Sequence, residues 1–101
     1  MSIGAAERSG VRVAGVSIGN IGFGAFNLSL DPRPSRTRAT RTIHAALDAG
    51  IRLIDTADAY CRNSSEVGHN ERLLRAALRS WRGDRDGVLV VTKGGHVRTA
   101  A

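Results

Sequence analysis

The sequence predicts an α/β chain in which an N-terminal β-hairpin is followed by β-α-β-α-β. Three observations predict it. Apolar residues recur at the helical period in two stretches, 38–49 and 70–81. Short apolar and β-branched runs at 51–54 and 88–92 flank the second of these, and glycine-bearing turns separate the segments. Strands joined through helix-bearing crossovers run parallel, so the later strands are expected to form one parallel sheet. At 101 residues the chain has room for one small domain, 1–101.

Residues 11–17 read as a short hairpin turning at Ala14-Gly15. Residues 18–26, Ile-Gly-Asn-Ile-Gly-Phe-Gly-Ala-Phe, are strand-like but carry Gly19, Gly22 and Gly24. Glycine within a strand marks the close approach of a ligand or of another backbone, and both readings stand here. The Gly-x-Gly-x-x-Gly dinucleotide fingerprint opening a helix is absent, so this is not a Rossmann turn. Pro32 and Pro34 make 27–35 a loop, with Ser35 or Thr37 placed to cap the next helix. In that helix, over 38–49, Ala39, Ile43, Ala46 and Leu47 share one face while Arg38, Arg41 and Asp48 point away. His44 lies beside the apolar face in a packing or solvent-edge role, and Gly50 suits the position just past the helix end.

The stretch 51–60, Ile-Arg-Leu-Ile-Asp-Thr-Ala-Asp-Ala-Tyr, begins as a strand and ends as a loop. Asp55 therefore stands at a strand's C-terminal end, where ligands and chemistry collect in α/β folds, and Tyr60 follows five residues later. The polar loop 61–69 suits either a substrate-facing role or a surface excursion. A second helix over 70–81 puts Leu73, Leu74, Ala77, Leu78 and Trp81 inside, with Asn70 as its cap and Glu71 and Arg75 as an exposed ion pair. After a turn at 83–87, the run 88–92 has the continuous apolar character of a strand buried on both faces, and it delivers Lys93. The chain has a single tyrosine and a single lysine. Asp55, Tyr60 and Lys93 are thus offered at neighbouring strand ends.

Composition excludes several classes. The net charge of +6 comes from arginines scattered over loops and helix faces, and with so few aromatics it reads as solvated surface and not as a nucleic-acid interface. Cys61 is the only cysteine, so no intramolecular disulfide forms and a reducing compartment fits. No histidine adjoins Cys61 to activate it. No run approaches the roughly 18 apolar residues of a membrane span, and residues 1–8 lack a long apolar core, so a cytoplasmic protein is expected. His44, His69 and His96 lack metal-ligand spacing.

Alternating helices and strands fit a (β/α)8 barrel or an open doubly wound sheet alike. The motifs are more specific. The hairpin, the Gly-rich first strand, Gly-Ile-Arg-Leu-Ile-Asp-Thr-Ala-Asp-Ala-Tyr at 50–60, Gly-His-Asn-Glu-Arg-Leu-Leu at 68–74 and Val-Val-Thr-Lys-Gly-Gly at 90–95 together resemble the aldo-keto reductases. The likeness runs from Val11 to about Arg98. It implies a TIM barrel, here incomplete, and reduction of aldehydes or ketones with NADP(H). On the resemblance Asp55, Tyr60 and Lys93 match three of the family's four catalytic positions, and Gly24, Ala25 and Phe26, with Asp55, match the segment beside the nicotinamide. The fourth residue, a histidine at the end of the next strand, would fall beyond Ala101, and His96 is on the wrong strand to replace it. The segments that bind the cofactor's pyrophosphate, adenosine and 2′-phosphate would fall beyond it too.

The chemistry accounts for these residue types. Hydride delivered to a carbonyl carbon leaves an alkoxide, which needs a proton donor within hydrogen-bond reach, and Tyr60 is the candidate. A buried ammonium beside a phenol favours the phenolate, the role expected of Lys93, with Asp55 holding that lysine charged and oriented. A complete barrel takes about 250 residues, and this chain supplies about three of its eight strand-helix units. Two readings follow: the N-terminal part of a nicotinamide-dependent carbonyl reductase, or a non-catalytic barrel fragment. The fragment would serve assembly, by self-association or with a complementing chain through open sheet edges, or have no function.

Overall fold

The computed structural model describes residues 11–95. The N-terminal residues 1–8, His96 and Arg98, all weighed above, lie outside that range. Ala14 and Gly15 take φ of 49° and 80°, the consecutive left-handed residues a two-residue hairpin turn needs. They join β1 (Arg12–Val13) to β2 (Val16–Ser17) with Arg12 opposite Ser17, and Ile18 N–H donates back to Val11 O at 3.0 Å.

The strand expected over 18–26 is much shorter, β3 being Phe23–Gly24 alone. Gly19 turns to a φ of 72° and leaves the extended region. Residues Phe26–Leu28 then wind into a 3-10 turn. The glycines divide between the two readings. A Cβ on Gly22 would come within 3.1 Å of the Leu53 side chain and 3.3 Å of its carbonyl oxygen, so close backbone packing explains Gly22. A Cβ on Gly24 would meet nothing within 4 Å.

The first helix, α1 (Arg36–Asp48), starts two residues earlier than its periodicity predicts because Ser35 Oγ accepts from Arg38 N–H at 3.2 Å and fixes the first turn. Ala39, Ile43 and Leu47 are buried as predicted, with Ala46 at the half-buried margin. At its end Gly50, φ 102°, donates to Leu47 O and Ile51 N–H to Ala46 O, each at 3.0 Å. These are the two bonds of a Schellman cap. The chain passes directly into β4 (Leu53–Asp55), the central strand, whose Ile54 is fully buried.

The second helix, α2 (His69–Ser80), is capped differently from expectation. Gly68, φ 85°, holds the cap position, and Asn70 is fully buried within the first turn. Its carboxamide serves tertiary contacts because three buried polar atoms of other segments lie within its reach. The predicted Glu71 and Arg75 pair is replaced too, since Glu71 Oε2 accepts from Thr92 Oγ1 at 2.6 Å. His44 bridges the helices, its Nε2 lying 2.7 Å from Ala77 O. Trp81 Nε1 donates to Asp48 Oδ1 at 2.9 Å.

The last strand, β5 (Leu89–Val91), completes a three-stranded parallel sheet of order β3-β4-β5. Both helices pack over it on a core that includes Leu28, Ile43, Leu47, Ile54 and Leu74. β5 departs from the burial its composition predicts. Val90 and Val91 are 36% and 42% exposed, because among the described residues only β4 pairs with this strand and its outer edge is uncovered. No helix among the described residues is long and apolar enough to cross a membrane.

Replacing Asn70 by Ala leaves its buried partners unsatisfied and is expected to lower the unfolding free energy by about 3 kcal/mol. Urea denaturation checks this, and an unshifted midpoint would show that these bonds are not formed.

Candidate active site

Past β4 the ladder with the β5 segment continues. Thr56 N–H donates to Val91 O at 2.8 Å and Asp58 N–H to Lys93 O at 3.1 Å. This run sets Lys93 alongside Asp55. The Lys93 ammonium donates to Asp55 Oδ1 at 2.5 Å and to Thr56 O at 2.7 Å. A tight turn, with Tyr60 N–H on Ala57 O at 3.3 Å and Cys61 N–H on Ala59 O at 2.9 Å, swings the tyrosine back toward the strand ends. Lys93 Nζ then lies 4.8 Å from the centre of the Tyr60 ring. Phe26 meets that ring edge-on, its centroid 5.0 Å away at 88°. Acid, amine and phenol, drawn from two strand ends and the loop after β4, occupy one place.

The Asp55 carboxylate, and after it Tyr60, raise the Lys93 pKa above the ordinary lysine value. The sequence led us to expect a buried ammonium, and the structure corrects this. The Lys93 and Asp55 side chains are 42% and 49% exposed, because β5 ends at the open margin of the sheet. Of the three first-strand residues, Gly24 lies opposite Asp55 in register and Phe26 is exposed beside Tyr60. Ala25 differs: its N–H donates to Asp55 O at 3.0 Å, but its methyl is fully buried in the core, so only its backbone borders the site.

Behind these groups runs a buried polar chain that the sequence did not reveal. Asn70 Nδ2 donates to Ala25 O at 2.7 Å and to Ser29 Oγ at 2.8 Å, and Asn70 Oδ1 accepts from Thr56 Oγ1 at 2.5 Å. Ser29 Oγ accepts from Asn70, and among the described residues the only acceptor within reach of its own proton is His69 Nδ1, 2.7 Å away, so the hydroxyl donates there. Burial first, and then the Arg33 charge, lower the His69 pKa and keep the ring in the neutral form this bond requires. An asparagine near a helix start reads as a cap in sequence, and only its partners distinguish the two roles.

The loop 61–69 is tied down by charge. Glu66 accepts from Arg33 Nη2 at 2.8 Å and from Arg62 Nη2 at 2.7 Å. Hydrogen bonds from Arg62 and then Arg33 hold its carboxyl far below the usual glutamate range. Cys61 is fully buried, its Sγ 3.6 Å from Ala59 O. Among the described residues, no three His, Cys, Asp or Glu side chains are grouped to hold a metal ion.

A parallel sheet that gathers a carboxylate, a phenol and an ammonium at its carboxyl edge defines an α/β protein with a strand-end site. The sequence model of the Aldo/keto reductase family matches residues 20–101, and the chain belongs to that family. It is 36% identical over 83 residues to the 6-dehydroglucose reductase of Novosphingobium aromaticivorans, a match covering 81% of this chain and 27% of that protein. Among solved structures, a Pseudomonas aeruginosa protein assigned to the aldo-keto reductases is similar at TM-score 0.67 and 30% identity, over 85% of this chain and 30% of that one. An aldo-keto reductase of Bacillus halodurans, in its holo form, is similar at TM-score 0.63 and 30% identity, over 82% and 24%. The chain thus spans less than a third of the length of each.

Two measurements test this arrangement. Because the chain has one lysine, its Nζ titration can be followed by NMR without assignment, and Asp55→Asn is expected to lower the Lys93 pKa; an unchanged titration would dissolve the pair. Glu66 is depressed in the folded chain, so its pairing stabilises fully above the ordinary glutamate value of about 4.3 and is lost as pH falls through the folded value. The urea midpoint is expected to fall progressively below about pH 4, and Glu66→Gln is expected to flatten that fall.

Proposed function

We propose that residues 1–101 form the N-terminal part of a (β/α)8-barrel, NADP(H)-dependent reductase of small aldehydes or ketones, with Tyr60 as proton donor and Lys93 and Asp55 assisting. The single observation that carries this reading is the Lys93 ammonium, 2.5 Å from Asp55 Oδ1 and 4.8 Å from the Tyr60 ring centre. The residues present fit the nicotinamide end of the cofactor. Gly24, whose missing Cβ leaves open space, and the exposed Phe26 border a face beside Asp55 against which a flat ring can lie. Bound there, the reduced nicotinamide supplies the hydride.

The other half of the reaction belongs to the chain's own side chains. The Tyr60 hydroxyl gives its proton to the carbonyl oxygen as charge develops there. The Lys93 ammonium stabilises the phenolate left behind, while Asp55 and Thr56 O hold that ammonium in place. Solvent, which reaches this half-exposed pair, restores the proton. NADP in preference to NAD, and a cytoplasmic location, are read from the family likeness and from the lone cysteine.

The uncovered edge of β5, with Val90 and Val91 exposed, favours a second reading, in which the chain is an assembly module that pairs with another copy or a complementing chain. NADPH oxidation by the purified protein with a small aldehyde separates the two. Tyr60→Phe is expected to lower kcat by about 1,000-fold or more, the usual scale for an acid catalyst and its stabilised charge. Unchanged turnover would end the catalytic assignment, and absence of turnover in the parent protein would leave the assembly reading.

A further inference from the structure

A cavity of about 270 Å³ lies between the starts of α1 and α2, and it shares no lining residue with Asp55, Tyr60 or Lys93. Its apolar side is formed by Leu28, Ala39 and Leu73. Its polar side is cationic. Arg36, the first residue of α1, lines it, and its guanidinium makes no hydrogen bond or ion pair among the described residues. Arg72, from the first turn of α2, lines it and spends only Nη1, on Val67 O at 3.0 Å. Among the described residues no acidic side chain is paired with either guanidinium. Arg33, a third lining residue, is already committed to Glu66 and Ser29 O and serves as a wall.

His69 also lines the cavity. Its Nδ1 accepts from Ser29, so the proton of the neutral ring is on Nε2 and remains available to donate. Both helices, 13 and 12 residues long, direct their positive ends here. Each end is compensated only in part: Ser35 caps α1, which has no acid in its first turn, and α2 has Glu71 in its first turn but no capping side chain from Gly68. Two guanidiniums without acidic partners among the described residues, one neutral donor and two helix starts around an apolar-floored hollow match a dianionic, many-acceptor group better than a single carboxylate.

We propose that this cavity binds a phosphate group, with Arg36 and Arg72 as its charged ligands and His69 as a neutral donor. The phosphate comes either as the free ion or as the head of a small phosphate monoester whose body rests on Leu28, Ala39 and Leu73. Neither form depends on the reductase reading, since none of these residues takes part in it.

Isothermal titration of the purified protein with inorganic phosphate tests the proposal. Saturable binding is expected, weakened about tenfold or more in Arg36→Ala/Arg72→Ala, both surface changes. The double variant Arg41→Ala/Arg79→Ala removes the same charge from the same two helices outside the cavity, and its affinity is expected to stay within about twofold. Equal weakening in the two double variants would reduce the effect to the diffuse field of a +6 chain and overturn the site, as would the absence of saturable binding. Glycerol phosphate distinguishes the sources. Binding about tenfold tighter than inorganic phosphate supports a monoester, and equal affinity supports the free ion.

Discussion

One buried carboxamide, that of Asn70, holds together the parts of this chain that the site requires. It is fully buried, and its bonds to Ala25 O, Thr56 Oγ1 and Ser29 Oγ tie the start of α2 to the ends of β3 and β4 and to the loop after β3. Each of those atoms is withdrawn from water, so each needs a partner inside the protein. Asn70 satisfies all of them with one side chain. The alternative arrangements of α2 over the sheet therefore cost several unmade hydrogen bonds, and the end of the strand that carries Asp55 is positioned as a result.

Electrostatics in the chain divide by burial. The Lys93 and Asp55 pair is half exposed, so it orients the ammonium more than it stabilises the fold. Glu66 draws two arginines from separate loops onto one carboxylate, and this joins 27–35 to 61–69 more firmly than the polar composition of either loop implies. Arg38, Arg41, Arg75 and Arg79 stand on exposed helix faces, where charge costs little. Arg36 and Arg72 are different because they border a hollow with no acidic partner among the described residues.

Family membership and length together frame the chain. It belongs to the aldo-keto reductase family, yet it spans less than a third of the proteins it matches. Its three parallel strands follow one another in sheet order. Among the described residues β5 leaves its far edge and the apolar side chains of Val90 and Val91 uncovered, and a parallel strand of that composition is at home only when covered on both faces.

Local chemistry alone decided a good deal. The Ala14-Gly15 turn, the Ser35 cap, the Gly50 terminus and the inner faces of both helices are set by residue type and spacing within a few positions, and all were legible in the sequence. So was the placement of Asp55 at a strand end, because an apolar run stopped by Asp-Thr-Ala-Asp can end in few other ways. Other features needed partners far along the chain. The close approach of Gly22 to Leu53, the burial of Ala25 under the helices above it, and the inward turn of Asn70 toward atoms as many as 45 residues away are of this kind. Sequence period reports which face of an element is apolar, whereas hydrogen-bond partners and the uncovered side of β5 are properties of what packs against it, and only the tertiary structure decides those.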